Sequence, residues 1–190
     1  MELVLGKKHE NRIEFNASGI NTDLANLVRR YSMAKVPVLA VDKVTIYDNS
    51  SSFWDEYIAH RIGLMPVTTP KKTPKSAEIT FTLDAEGPKK VYSGDFTSSD
   101  KGIKMAKDKI PLITLTQGQR IRLEAVATLD RASKHAKFQS GLVTYGEENG
   151  KFSFIVESFY HMSPKEVVER GCDEALSDLD ALEKAIKKGK

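Results

Sequence analysis

Cysteine is almost missing from this chain: Cys172 stands alone among 190 residues. One thiol excludes an internal disulfide and any metal site built wholly from cysteines. Long apolar runs are missing too. No stretch approaches the roughly 20 apolar residues that span a membrane, and Met1-Glu2 opens no secretory signal. A surplus of one charge is also lacking, since 29 basic residues face 26 acidic ones and leave a formal net charge of +3. That excess is too small for a strong nucleic-acid footprint over the whole chain. There are no internal repeats and no low-complexity segment. A cytoplasmic chain without metal, cofactor or membrane contact is the expectation. Its length suffices for one good core or two small domains.

What the chain does have is helical patterning at both ends and β patterning between them. Residues 23–37 read as one amphipathic helix. Asn21, Thr22 and Asp23 are N-cap candidates, and Pro37 removes a donor and stops the helix. Leu24, Leu27, Val28 and Tyr31 fall at i, i+3, i+4 and i+7 and form an apolar stripe. Arg29 and Arg30 stand off that stripe, as a paired guanidinium would at a joint between two bodies. A core-facing helix with solvated arginines is the plainer reading of the same spacing. Ahead of the helix, residues 3–5 and 13–15 suggest an edge hairpin. After it, Val44 and Ile46 alternate with Lys43, Thr45 and Tyr47 in a half-buried strand.

A short helix over residues 53–62 follows, with Ser52 and Asp55 in the form of a capping box and Gly63 as its C′ residue. Trp54, Ile58 and Ile62 share one face, with Tyr57 beside it. The Thr/Pro/Lys-rich run 68–76 reads as an exposed connection. From 77 to 130 the pattern is β. Ile79, Phe81 and Leu83 alternate, 86–88 is a turn, and 90–96 is a candidate return strand. Ile121, Leu123, Ala125, Ala127 and Leu129 give the clearest strand in the sequence. Asn149-Gly150 marks a hairpin. The final helix opens on Ser163, Pro164 and Glu166, a capping box with proline at N1. Val168, Cys172, Ala175, Leu179, Leu182 and Ile186 then recur at spacings of four and three, with Leu176 widening the seam. Lys187 to Lys190 place positive charge at its C-terminal end.

Fragments that resemble catalytic or binding sites fail on inspection. Gly146 to Lys151 is one residue short of a phosphate-binding loop, and Phe152 stands where Ser or Thr would hold magnesium. Asp178 and Asp180 diverge by about 200° on a helix and read as a solvated face. His9, His60, His135 and His161 have no metal-ligand spacing. Cys172 lies on the apolar seam as a buried, inert thiol. Asp55 and Glu56 beside His60 and Arg61 form the one dense polar cluster, which i,i+4 helix support explains without catalysis.

Three runs nonetheless point to a family. Asn26-Leu27-Val28-Arg29-Arg30, then Val36-Pro37 and Ala40-Val41-Asp42-Lys43-Val44, resembles the opening of the alpha-type subunits of multisubunit RNA polymerases. Residues 55–67, Asp-Glu-Tyr-Ile-Ala-His-Arg-Ile-Gly-Leu-Met-Pro-Val, look like the motif shared by the archaeal D-type polymerase subunit and the third subunit of eukaryotic RNA polymerase II. His135-Ala136-Lys137-Phe138 matches a shorter motif of that branch, and the hairpin with the Ser163-Pro164 helix is similar to its dimerisation element. The likeness covers essentially the whole chain, and its length best fits the archaeal D-type members.

The resemblance implies an α+β fold. A discontinuous alpha-type dimerisation domain, helices on a small antiparallel sheet, would join residues 1–38 to 141–190, with a mainly β domain inserted at 39–140. It implies a non-catalytic scaffold of DNA-dependent RNA polymerase that pairs with the smaller alpha-like L subunit and docks the second-largest subunit. Small zinc-binding polymerase subunits are further candidate neighbours, and DNA would be met only through the complex. Carried over by residue, Leu24, Leu27, Val28, Tyr31, Val168, Cys172, Leu176, Leu179 and Leu182 would face the L subunit. Arg29, Arg30, Asp55, Glu56, His60 and Arg61 would meet the large subunit, and Lys134, His135 and Lys137 would contact neighbouring subunits or solvate a loop. Many relatives carry a cysteine-rich iron–sulfur domain or a zinc loop. This chain lacks both ligand sets, so neither cluster nor zinc is expected. The alternative is a basic nucleic-acid-binding module outside any polymerase, using Lys71, Lys72, Lys75, Lys89, Lys90, Lys134 and Lys137.

Overall fold

The computed structural model describes residues 1–189, so Lys190, the last of the basic residues read into the final helix end, lies outside them. In chain order the first elements are β1 (Glu2–Lys8), β2 (Arg12–Ser18), α1 (Thr22–Ala34), β3 (Val38–Asn49), α2 (Asp55–Gly63), β4 (Glu78–Glu86) and β5 (Lys89–Tyr92). After them come β6 (Thr97–Ser98), β7 (Pro111–Leu115), β8 (Arg120–Asp130), β9 (Gly141–Glu148), β10 (Lys151–Ser158) and α3 (Pro164–Lys188). The fold is mixed α+β with antiparallel sheets. It divides into two compact units, Met1–Pro37 with the chain from Arg131 onward, and Val38–Asp130.

The first unit is an antiparallel sheet in the order β1-β2-β10-β9 with α1 and α3 on one face. Alternation decides which face is covered. Phe152, Phe154 and Val156 of β10 and Phe15 and Ala17 of β2 point inward and are buried. Phe15 and Phe154, directly opposite in register, stack with centroids 4.8 Å apart. The β9–β10 hairpin turns through Asn149 and Gly150, both at positive φ, as the Asn-Gly pair requires. Asn21 caps α1 by accepting from the Leu24 amide at 3.0 Å. Ser163 and Glu166 cap α3 reciprocally, with Pro164 just inside the helix.

The helices meet through small residues. Ala25 and Ser32 are the buried positions of α1, and Val167, Gly171 and Ala175 lie buried on α3. A Cβ on Gly171 would come 2.8 Å from the Ser32 Cα, so glycine is what permits this approach. The apolar stripes lie on the adjoining arcs, roughly a quarter-turn away at 100° per residue. On α1 the most deeply buried residues are thus Ala25 and Ser32 and not the stripe, and on α3 the seam shares only Ala175 with the buried face.

Residues 131–140 belong with this unit, so the chain returns at Arg131 and not at 141. Arg131 pairs with Glu174 at 2.5 Å, and the Ser140 hydroxyl donates to the Ser32 carbonyl at 2.6 Å.

The second unit is built on the sheet β3-β8-β4-β6 and a separate ribbon, β5-β7. Ile121, Leu123, Ala125 and Ala127 of β8 point into its core with Phe81 and Leu83 of β4, while Ile58 and Ile62 of α2 close over them. Two local expectations fail. The run read as a return strand pairs as β5 with β7 and not with β4, a register that no local turn signal encodes. The helix start is also displaced. Trp54, not Ser52, takes the N-cap position with no side-chain cap, Asp55 instead accepts from Asn49 Nδ2 at 2.7 Å, and Gly63 is still helical.

Candidate interaction surfaces

On the first unit, α3 outruns what it packs on. Leu176, Leu179, Leu182 and Ile186 are 61%, 53%, 58% and 62% exposed, and every described residue from Leu179 onward is exposed. Val168 and Cys172, earlier on the same arc, are half-buried. On α1, Leu24 is 41% exposed, while Leu27, Val28 and Tyr31 are half-buried. A helix of this length with four large apolar side chains in water is unusual for a completed surface. Burial pushes the Cys172 thiol pKa up, with Asp173 and Glu169 adding to it, so the thiol stays protonated.

Polar ties hold the two arcs in place. Tyr31 donates its hydroxyl to Asp178 at 3.1 Å, and the Lys35 ammonium lies 3.5 Å from the same carboxylate. Asp178 therefore links α3 to α1 and is not the solvated residue that spacing suggests. Burial and this hydrogen bond both hold the Tyr31 phenol above its ordinary pKa. The adjacent arginines do not act as a pair. Arg29 donates to the Asn26 side-chain oxygen Oδ1 through Nε and Nη2 at 3.2 and 2.8 Å, whereas Arg30 is exposed on a shallow depression lined also by Asp23, Leu27 and Lys35.

The second unit carries the other predicted group on α2. Asp55, Glu56 and His60 are exposed. Arg61 is turned inward: Nη2 donates to the Pro111 carbonyl at 2.5 Å, and the guanidinium sits 5.8 Å from the Tyr57 ring. Tyr57 in turn stacks on Phe53 at 5.0 Å. Spacing placed Trp54 on the buried face, yet it is 81% exposed, because at the N-cap its backbone is extended and helical projection does not apply. Phe53, Trp54 and Tyr57 at the start of α2 and Leu64 at its end are thus exposed apolar residues beside the acidic ones, a feature sequence reasoning missed. Alpha-helical periodicity could not find it, but an unpaired tryptophan next to Asp-Glu was the available signal.

The 134–138 loop is organised around a fully buried Phe138, with the Lys134 and Lys137 ammonium groups each 5.2 Å from its ring. His135 accepts from the Lys137 amide through Nδ1 at 3.1 Å. These side chains hold the loop itself.

A family model described as the RNA polymerase Rpb3/RpoA insert domain matches residues 44–144. The DNA-directed RNA polymerase subunit Rpo3 of Methanocaldococcus jannaschii is 39% identical over 146 residues, covering 76% of this chain and 75% of that one. The chain belongs to the Rpb3/RpoA family. Within that family it is also similar to the DNA-directed RNA polymerase subunits Rpo3 of Thermococcus kodakarensis and Archaeoglobus fulgidus. The first is 40% identical over 152 residues, covering 76% of this chain and 59% of that one. The second is 41% identical over 151 residues, covering 73% and 57%. The chain thus spans under three-fifths of the length of several of the curated relatives it matches. The Rpb3/RpoA match runs from within β3 to within β9, so it takes in nearly all of the second unit.

Proposed function

We propose that this chain is an assembly component of a DNA-dependent RNA polymerase, with no chemistry of its own. The first unit is its dimerisation domain and the second its insertion domain. Its partner through α1 and α3 is the smaller alpha-like L subunit, and the second-largest polymerase subunit binds beside it. The observation that carries this reading is the projecting arc of Leu176, Leu179, Leu182 and Ile186 on α3. Covering the remaining half of each such side chain would contribute about 1 kcal/mol or more per residue, about 4 kcal/mol together, a substantial share of what a stable complex needs. Family membership supports the assembly as a polymerase. Arg30, Asp55, Glu56 and His60 are exposed and suit the large-subunit contact, while Arg29 and Arg61 work as positioning groups beneath it.

Co-expression with the L subunit tests this. The expected product is a stable 1:1 heterodimer, and Leu179→Glu abolishes it while leaving each chain folded. Arg30→Ala keeps the heterodimer but weakens recruitment of the second-largest subunit. A chain that stays monomeric beside the L subunit, or a Leu179→Glu variant that still pairs, would sink the reading.

A further inference from the structure

Two loops of the second unit, residues 66–77 and 98–109, lie side by side and concentrate positive charge. Val67 bridges Met105, the Thr68 amide donates to the Lys104 carbonyl at 2.9 Å, and the Lys104 amide donates to Thr68 Oγ1 at 3.0 Å. The Ala106 amide donates to the Pro66 carbonyl at 2.8 Å, and the second loop is also held to β4, where the Ser99 amide donates to the Thr80 carbonyl at 2.8 Å. The start of the first loop is therefore tied to the end of the second, and the start of the second to β4. Buried Thr69 anchors the first of them by accepting from the Leu39 amide at 2.9 Å. Between and around these ties stand Lys71, Lys72, Lys75, Lys101, Lys104, Lys107 and Lys109 against Asp100 and Asp108. That is a local surplus of five positive charges in a chain whose whole surplus is three.

We infer that this double loop is a contact surface for the phosphate backbone of duplex DNA. The residues present choose between polyanions. Neither loop contains an arginine or an aromatic residue, and the large apolar residues Val67, Ile103 and Met105 are buried. Protein interfaces are enriched in aromatics, methionine and arginine and depleted of lysine, so an acidic protein surface is poorly matched. Without aromatic platforms there is nothing for single-stranded bases to stack on. Hydrated lysine charges on flexible stems suit phosphates met without regard to sequence. Lys72, Lys75, Lys101 and Lys104 are all exposed. The inference does not need the polymerase assignment, because it concerns a surface of the isolated chain. It gives the chain a DNA contact of its own, where the family resemblance implies only an indirect one.

Fluorescence anisotropy of the full chain with labelled duplexes of about 30 base pairs, titrated between about 50 and 200 mM salt, tests it. The wild-type chain binds duplexes of different sequence equally, with a steep salt dependence. Replacing Lys72, Lys75, Lys101 and Lys104 together by Gln lowers the slope of log K against log salt by about 3 to 4 and the affinity more than tenfold. Lys184→Gln with Lys188→Gln, on α3, leaves binding unchanged. If the quadruple variant melts early, the pairs Lys72/Lys75 and Lys101/Lys104 replaced separately each show about half the slope loss. No duplex binding by wild type, an unaltered slope in the loop variants, or an equal loss in the α3 control overturns the inference. So does a loop-dependent affinity for poly-glutamate that exceeds that for duplex, which would assign the surface to an acidic protein.

Discussion

Gly171→Ala is expected to destabilise the chain by about 1 to 2 kcal/mol, although alanine is the better helix former. An ideal Cβ at Gly171 lies 2.4 Å from Ser32 Oγ and 2.8 Å from both the Cα and the N of Ser32. The hydroxyl could rotate away, but the other two atoms belong to the backbone of α1. Carbon contacts settle near 3.5–4.0 Å, so the helices must part by about an ångström. Overpacking of this kind costs about 1 to 3 kcal/mol, toward the upper end where the obstacle is main chain. Replacing glycine in a helix returns at most about 1 kcal/mol. Urea unfolding of the full chain reads the difference, and the melting point should fall by about 2 to 4 °C for each kcal/mol. Gly146→Ala is the control, since a Cβ there meets nothing within 4 Å, and its effect should stay within about 0.5 kcal/mol. A Gly171→Ala chain as stable as wild type would refute the reasoning, for it would mean that α1 and α3 separate without penalty.

Trp54→Ala should leave the melting point nearly unchanged, because so exposed a ring contributes little burial, yet it should weaken incorporation into the polymerase about tenfold or more. Unaltered assembly in a pull-down would remove Trp54 from the interface. The Glu166 carboxyl offers a pH test. Its partial burial raises the pKa, but hydrogen bonds from the Ser163 side chain and amide and from Arg170 outweigh this and hold it below the ordinary value. A depressed carboxyl contributes stability above its unfolded pKa, near 4.3, and loses it as pH falls through the lower folded value. Ser163→Ala should therefore cost about 1 kcal/mol at pH 7 and progressively less below about pH 4. A cost that does not change with pH would show that the carboxylate plays no part in the cap.

Features written in short-range chemistry were legible in the sequence. The cap of α3 needs only Ser163, Pro164 and Glu166, the hairpin only Asn149 and Gly150, and β8 declares itself by alternation from Ile121 to Ala127. The apolar stripes of α1 and α3 were located correctly as residues, but periodicity alone cannot say whether a stripe faces a core or a partner. Where the two helices meet each other is set by Ser32 and Gly171, some 140 positions apart, whose smallness marks the contact only when both are seen together. The family was legible because residues 26–67 carry particular identities as well as a pattern. The tie of Arg61 to the Pro111 carbonyl of β7 was not legible, because helix spacing says nothing of a strand 50 residues further on. The lysines of the two tied loops are far apart in sequence, so their joint charge was diluted in the chain's near-neutral balance.

The register of β3 on β8 also bears on how the chain folds. Val38 and Asp130, the first and last residues of the second unit, are Cα partners, which puts them about 5 Å apart. Once that unit has formed, its roughly ninety residues act on the rest of the chain as a closed clasp and no longer as a long loop, lowering the closure entropy for docking α3 on α1 by about 1 kcal/mol. The first unit is then expected to wait for the second. Ile121→Ala, which weakens only the second unit's core, should slow formation of the α1–α3 contact in refolding followed by a probe on α3, and an unchanged rate would show that the ends meet without it. The interruption in the first unit's sequence would thus be a kinetic aid to its closure.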